Sequence, residues 1–319
     1  MTASTLTSAP PRKTPTRHVA VGARRAAWTR RAPLLPALIF LIIVTQLPFV
    51  ATLVISLLRW NALEPQNRGW AGLSNYKQVF TDSRLRDSVV TTIILTVTVV
   101  LASVVIGLGV ALLLDRSFFG RGVVRTLMIA PFLIVPVAAA LLFKHGIYNP
   151  VYGLLNGTLT GIWHTFGSNN PPQPDWLTIH PTMAVEAELI WQWTPFMMLI
   201  LLAGLQSRDG EVMEAAYVDG ASSWQVFRNI TLPHMRRYIE LGALLGSIFI
   251  VSNFDAVFTI TSGGLGTANL PYTIYETFYA AHDYGLASAQ GVVVVAGSLI
   301  IATFALRVVS SLFQEEVGR

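Results

Sequence analysis

The chain has 319 residues, of which 53% are hydrophobic and only 12% are charged, and its formal net charge is +5. Soluble domains carry about 25% charged residues, so this composition, with a mean hydropathy of +0.55, excludes an ordinary soluble core and indicates a membrane protein. The absence of cysteine excludes disulfides, thiolate metal sites and cysteine nucleophiles.

The first 31 residues are rich in Thr, Pro, Ala and Arg and have no apolar periodicity. This composition predicts a disordered basic tail over residues 1–31. A secretory signal peptide would have a shorter apolar core than the run of about 25 residues that follows. We therefore expect that run to stay in the protein as an uncleaved first helix.

Six apolar segments follow, each close to the length of about 20 residues that crosses a hydrocarbon layer roughly 30 Å thick. The segments are residues 34–58, 89–114, 123–143, 183–205, 239–260 and 285–313. They are continuously apolar and lack strand-type alternation, so they predict helices rather than barrel strands. Pro131, Pro136 and Pro195 predict kinks. We predict an all-α integral membrane protein with a membrane domain over 32–313 and a short cytoplasmic tail at 314–319.

The basic residues predict the orientation in the membrane, because Lys and Arg are held on the cytoplasmic side during insertion. With the amino end inside, the cytoplasmic segments contain 16 of the 22 Lys and Arg, and the outer segments contain six. Both termini are therefore predicted to be cytoplasmic. The basic residues are divided among several loops rather than clustered, which argues against nucleic acid as a partner.

The segment 206–238, between the fourth and fifth apolar segments, is predicted to begin with a short helix. Asp209, Glu211 and Glu214 lie in its first turns, where the amide dipoles favour negative charge. Gly220 then ends this helix, because glycine adopts left-handed dihedral angles with little steric penalty. By the predicted topology this segment is cytoplasmic.

A second short helix is predicted after the turn, capped by Ser222 or Ser223 and ended by Pro233. Two elements of this size cannot bury their own apolar face, so the segment is expected to dock onto a partner. The alternative is a connector that lies on the membrane surface. Such a connector would be expected to carry a basic polar face, whereas this segment has an acidic beginning.

This segment resembles the EAA loop of the membrane subunits of bacterial ABC importers, whose coupling helices fit into a cleft on the cytoplasmic ATPase. The residues that carry the resemblance are Glu214, Ala215, Ala216, Asp219, Gly220, Ala221, Phe227, Leu232 and Pro233. The resemblance implies the MetI-like ABC importer permease fold and implies that these residues couple the chain to the ATPase.

Further stretches extend the resemblance to most of the chain. Together with the six apolar segments, residues 125–137 and 253–267 resemble maltose-type carbohydrate permeases, and residues 191–207 and 269–279 are most similar to sorbitol and mannitol importers. The resemblance implies a bacterial cytoplasmic membrane location, a heterodimer with a second homologous permease subunit, and two copies of an ATPase subunit that bind ATP and Mg. It also implies an extracytoplasmic solute-binding protein and contact with membrane lipid.

The sequence predicts no catalytic, cofactor or metal site in the chain itself. None of the lysines, Lys13, Lys77 and Lys144, follows a glycine, so a phosphate-binding G-x-x-x-x-G-K-[ST] loop is missing. H-E-x-x-H and G-x-S-x-G motifs are also missing, which argues against an intramembrane enzyme. The nearer alternative is an ion-coupled secondary transporter, which would need a relay of intramembrane acids and usually contains two repeated halves. The sequence has no evident internal repeat.

A few polar residues inside the apolar segments indicate a solute pathway, because a charge in hydrocarbon costs several kcal/mol unless it faces a cavity or a partner. Glu188 and Gln192 are four residues apart and share a helix face. In the fifth segment Ser252, Asp255 and Thr259 are predicted to share a face. Carboxylates and amides can match the many hydroxyls of a polyol with directional hydrogen bonds.

Trp191 and Trp193 are candidates to cover the C–H surface of a solute, although their spacing does not place both on one helix face. Tryptophans near helix ends also serve as anchors in the membrane interface. Asp255 could equally pair with an arginine of the partner permease. The predicted pathway residues are Glu188, Trp191, Gln192, Trp193, Asn253 and Asp255.

Overall fold

A computed structural model describes residues 32–167 and 170–317. The predicted tail at 1–31 lies outside the described residues. The chain divides into two compact units, residues 1–54 and 55–319. The first unit contains most of helix α1 (Leu35–Ser56), in which the Thr52 hydroxyl donates a hydrogen bond to the carbonyl of Pro48 at 2.9 Å.

The second unit is mainly helical. Its helices are α2 (Ser74–Thr81), α3 (Ser83–Asp115), α4 (Arg121–Leu133), α5 (Pro136–Ile147), α6 (Leu154–Thr165), α7 (Trp176–Ile179), α8 (Pro181–Gln206), α9 (Gly210–Val218), α10 (Ser223–Val226), α11 (Leu232–Val251), α12 (Asp255–Ile260), α13 (Leu270–Tyr275) and α14 (Tyr284–Val317). Two short strands, β1 (Leu58–Arg59) and β2 (Gly69–Trp70), pair antiparallel with Leu58 opposite Trp70.

Within the described ranges three helices, α1, α3 and α8, are long and apolar enough to cross a membrane, and the bent pair α4 and α5 makes a fourth if it is counted as one span. Helices α11 and α14 occupy the fifth and sixth predicted segments. Helix α14 continues to Val317, so most of the predicted tail at 314–319 is helical. The prediction of an all-α membrane protein is confirmed.

The third predicted segment, 123–143, is broken rather than kinked. Helices α4 and α5 meet at an angle of 95°. Pro136 begins α5 at the first helical position, where its missing N–H is not needed. The carbonyl of Ile134, in the break, accepts a hydrogen bond from Gln192 Nε2 at 3.1 Å. The break is therefore supported by a side chain of a neighbouring helix, which satisfies a backbone group that the break leaves open.

The fifth predicted segment, 239–260, is also broken, between the end of α11 at Val251 and the start of α12 at Asp255. The predicted shared face of Ser252, Asp255 and Thr259 is therefore wrong, because Ser252 lies before the break. Asn253 holds the break in place: its side-chain oxygen accepts from the backbone N–H of Ala256 at 3.3 Å. Its backbone carbonyl accepts a hydrogen bond from the side-chain amide of Asn269 at 2.6 Å.

The two helices that follow the breaks pack against one another. Helix α12 makes its most extensive contacts with α5. Lys144, near the end of α5, donates a hydrogen bond to the carbonyl of Thr259 at 2.7 Å. That carbonyl belongs to the last turn of α12, where a helix leaves its carbonyl groups without intrahelical partners. The contact therefore closes the carboxyl end of α12 onto α5.

The core lies where α3 packs along α8, with α11 against both helices. Gly107 of α3 marks the closest approach: a Cβ at this position would lie 3.0 Å from the backbone nitrogen of Met198 and 3.0 Å from Met197 Cβ. Small residues let membrane helices approach closely enough for van der Waals packing and backbone contact. Gly242 faces the sulfur of Met197 from α11 in the same way.

A matched pair of substitutions tests this packing. Gly107→Ala is expected to lower the thermal stability of the purified protein, because overpacking a close contact costs about 1–3 kcal/mol. Gly109→Ala, on the same helix, is expected to keep or raise stability, since no atom lies within 4 Å of the new Cβ and alanine favours the helix by about 1 kcal/mol. Equal melting temperatures for the two variants in detergent would contradict the α3–α8 contact.

Candidate functional site

The coupling segment, residues 206–238, begins with α9. Asp209 caps this helix by accepting a hydrogen bond from the backbone N–H of Glu211 at 2.9 Å. Gly220 has a φ of +81°, in the left-handed region that the sequence predicts for it. The N–H of Ala221 donates to the carbonyl of Ala216 at 3.0 Å. The helix end is thus closed by a glycine-dependent cap, which fixes the direction in which the chain leaves α9.

Ser222 caps the second helix of the segment. Its hydroxyl accepts from the N–H of Gln225 at 3.4 Å, and the Gln225 side chain accepts from the N–H of Ser222 at 2.7 Å, which makes a capping box. The predicted end of this helix at Pro233 is wrong. The chain continues from α10 through a π-helical turn, Phe227–Thr231, into α11. A proline near the start of α11 is accommodated because this wider turn precedes it.

Apolar side chains of the coupling segment are exposed. Val218 is 87% exposed and Trp224 is 65% exposed, and the Trp224 ring stacks on Phe227 with centroids 5.6 Å apart. The other predicted coupling residues lie around them: Glu214, Ala215, Asp219, Gly220, Leu232 and Pro233 are exposed, and Ala216 and Ala221 are half-buried. Exposed apolar side chains concentrated on such a short element are typical of an interaction surface.

Glu188 is the most deeply buried of the predicted pathway residues. Its side chain is 1% exposed, and among the described residues neither carboxylate oxygen has a hydrogen-bond partner. Asp255, at the start of α12, is half-buried and lies within electrostatic range of Glu188. The structure therefore brings together these two carboxylates, which come from the fourth and fifth predicted segments.

Gln192 and Asn253 have local structural partners instead. As described above, each satisfies backbone groups at a helix break, Gln192 between α4 and α5 and Asn253 between α11 and α12. Their amides are engaged within this chain. The geometry assigns both residues a supporting position beside the carboxylates.

The two tryptophans of α8 face different neighbours, as their spacing indicates. The Trp191 ring contacts Phe143 of α5 with centroids 5.2 Å apart. The Trp193 ring stacks on Phe249 of α11 at 5.1 Å. Trp191 and Trp193 therefore do not form one surface.

Trp193 belongs to an aromatic platform formed by Phe132, Trp193, Phe196 and Phe249 from three helices. Phe249 is 49% exposed and the other three are half-buried. The sequence interpretation missed Phe132, Phe196 and Phe249. The spacing of three between Trp193 and Phe196 places them on one helix face and could have indicated this pair, but Phe132 and Phe249 come close only through tertiary packing.

Metal chemistry has no evident support in the part of the chain that the structure describes. Within residues 32–167 and 170–317, no three His, Asp or Glu side chains are grouped to hold a metal ion. The arrangement of exposed coupling surface, intramembrane carboxylates and aromatic platform is suited to docking and to solute binding.

Comparison with known proteins identifies the family. Residues 103–314, more than half of the chain, match the family described as "Binding-protein-dependent transport system inner membrane component". The sequence is 35% identical over 261 residues to the "Probable ABC transporter permease protein y4oQ" of Sinorhizobium fredii, covering 80% of this chain and 81% of that protein. It is 30% identical over 289 residues to the trehalose/maltose transport system permease protein MalF of Thermococcus litoralis, covering 90% of this chain and 92% of that protein.

The fold is also that of a solved transporter. The crystal structure of a bacterial ABC transporter involved in the import of the acidic polysaccharide alginate has a TM-score of 0.77 at 22% sequence identity, covering 92% of this chain and 98% of that chain. Similarity at this identity establishes the fold. The chain therefore belongs to the family of inner-membrane components of binding-protein-dependent transport systems, the permease subunits of ABC transporters, and is not itself an enzyme.

Proposed function

We propose that the chain is a transmembrane subunit of an ATP-driven importer that moves a polyol or sugar across the bacterial inner membrane by alternating access. The observation that carries this proposal is the exposed apolar surface of the coupling segment, where Val218 and Trp224 are largely exposed. The sequence contains no phosphate-binding loop of its own. A separate ATPase subunit that covers this surface would supply the energy.

The proposed assembly has four kinds of subunit. A second homologous permease completes the pathway, two ATPase subunits bind ATP and Mg, and an extracytoplasmic protein delivers the solute. A related fold has been solved as an alginate transporter in complex with its alginate pentasaccharide-bound periplasmic protein, which supports the last of these partners. The coupling residues Glu214, Asp219 and Gly220 would form part of the ATPase contact.

The solute class follows from the side chains near the membrane interior. The MalF relative is a trehalose/maltose permease, which supports a carbohydrate. The aromatic platform offers partly exposed ring faces that suit the C–H surface of a sugar or polyol, and pockets of this kind combine apolar walls with a few placed polar groups. The carboxylates of Glu188 and Asp255 disfavour an anionic solute. We therefore propose a neutral polyol or sugar.

Reconstitution of the complete complex tests the proposal. The chain is co-purified with its partner permease and ATPase subunits, and ATP hydrolysis is measured with the binding protein over a panel of polyols and sugars. One class of neutral solute is expected to stimulate hydrolysis and to be taken up. Uptake that continues without ATP and without the ATPase subunits would contradict the proposal and favour an ion-coupled secondary transporter.

The proposed orientation has its own test. A reporter enzyme fused after Gly167 is expected to be active outside the cytoplasm, and one fused after Asn229 is expected to be active inside. The reason is the excess of Lys and Arg in the proposed cytoplasmic segments. The opposite activity at either position would overturn the orientation, and with it the ATPase as the partner of the coupling segment.

A further inference from the structure

The base of the coupling segment is held by Arg208, which lies between α8 and α9. Its Nε donates a hydrogen bond to the carbonyl of Leu205 at 2.8 Å, and one terminal nitrogen donates to the hydroxyl of Thr231 at 3.0 Å. The other terminal nitrogen forms an ion pair with the carboxylate of Asp115. One guanidinium therefore contacts the end of α8, the π-helical turn before α11, and the end of α3.

The three partners are sheltered from solvent. The side chains of Arg208 and Asp115 are 16% and 25% exposed, and Thr231 is buried. A guanidinium is planar and presents its donors in a rigid fork, whereas a lysine ammonium is a point charge on a flexible stem. Only an arginine can hold these three acceptors in a fixed relative geometry.

The partners of Arg208 are groups that helix ends leave in need of one. The Leu205 carbonyl lies in the last turn of α8, where carbonyls lack intrahelical donors. Asp115 is the last residue of α3, a position at which the helix dipole disfavours negative charge. An acidic residue at this position is accounted for by its ion pair with Arg208.

Thr231 joins this contact to the coupling segment. The chain is helical without interruption from Ser223 to Val251, and Thr231 lies at the junction of the π-helical turn with α11. A force applied to α10 by a docked partner therefore reaches Thr231 through continuous helix. A second contact lies beside it, where the Ser207 hydroxyl meets the Tyr238 hydroxyl at 2.7 Å and His234 Nε2 at 3.1 Å.

We infer that Arg208, Asp115 and Thr231 form a transmission cluster, which passes displacement of the coupling segment to α3 and α8. The inference rests on the proposed function and adds the residues through which coupling acts. Arg208 is a positioning residue in this cluster. Its side chain points to groups of this chain and holds the base of the coupling segment.

Three conservative substitutions test the cluster in the reconstituted complex: Thr231→Val, Asp115→Asn and Arg208→Lys. Arg125→Lys is the matched control, because Arg125 is an exposed arginine in another proposed cytoplasmic segment. In the three cluster variants, stimulation of ATP hydrolysis by solute and binding protein is expected to fall about 2-fold to 30-fold. The amount of ATPase subunit in the purified complex and its melting temperature are expected to match those of the wild type.

The ratio of ATP hydrolysed to solute transported separates transmission from a structural role. A raised ratio in the cluster variants, with a normal ratio in Arg125→Lys, would support the inference. Loss of ATPase subunits or of thermal stability in step with transport would overturn it, because the residues would then serve docking or folding. Normal stimulation in all variants beside a stimulated wild type would overturn the inference alone, whereas an unstimulated wild-type complex would contradict the proposed function itself.

Discussion

Replacement of Gly220 by valine is expected to remove most ATP-driven uptake while the protein still inserts into the membrane. Gly220 has a φ of +81°, and no atom lies within 4 Å of a Cβ built on it. The penalty is therefore conformational: a left-handed β-branched residue costs roughly 1–2 kcal/mol or more. The chain would relieve this strain by changing the turn between α9 and α10, which would displace the exposed surface around Val218 and Trp224.

Two control variants make the test specific. Gly220→Asn is expected to retain most uptake, because asparagine tolerates the left-handed region better than other residues with a Cβ. Gly210→Ala, at the start of α9, is expected to be neutral, since its Cβ would have no neighbour within 4 Å. Uptake and retention of the ATPase subunits are measured for all three. Normal values of both for Gly220→Val would show that the turn does not serve coupling.

Asp255→Asn is expected to reduce solute uptake by severalfold to about a hundredfold and to leave thermal stability unchanged. The loss of one hydrogen bond from a buried polar site costs about 1–3 kcal/mol. Asp255 is half-buried, and in the described ranges it forms no ion pair within the chain. Asparagine has the same shape and removes the charge, so the substitution affects the proposed solute contact more than the packing.

Gln192→Ala provides the contrasting result. Because Gln192 donates to the Ile134 carbonyl in the break between α4 and α5, its removal is expected to lower stability by about 1–3 kcal/mol. Melting temperature and solute-stimulated ATP hydrolysis are measured for both variants. If Asp255 instead pairs with an arginine of the partner permease, Asp255→Asn would leave that arginine unpaired and destabilise the permease pair by about 3–5 kcal/mol. Stability lost in step with activity would therefore exclude a solute-binding role for Asp255.

The straight helices of the fold were predictable from hydrophobic runs alone. Residues 89–114 and 183–205 fall within α3 and α8, whose apolar composition is continuous. The turn at Gly220 and the cap at Ser222 were also predictable, because both depend on local backbone chemistry. These features need no knowledge of neighbouring helices.

The breaks and the interior contacts could not be predicted in this way. Proline marks a weak point at 131 and 136, but the 95° angle between α4 and α5 depends on contacts such as that of Gln192 with the Ile134 carbonyl. The aromatic platform and the contacts of Arg208 join residues that are far apart in the sequence. Periodicity assigns a residue to a face of its own helix and does not identify which helix will cover that face.

The breaks that precede α5 and α12 have a mechanical consequence. An unbroken helix transmits tilt along its entire length, and bending it requires stretching of the i→i−4 hydrogen bonds on one side. At the two breaks those bonds are already absent, and side chains of Gln192 and Asn253 satisfy the open backbone groups. Helices α4 and α11 can therefore swing like levers on hinges, while α5 and α12, joined through Lys144, stay together as one block. Reorientation of this half of the pathway then requires rotation about a few backbone dihedral angles and no rupture of helical structure.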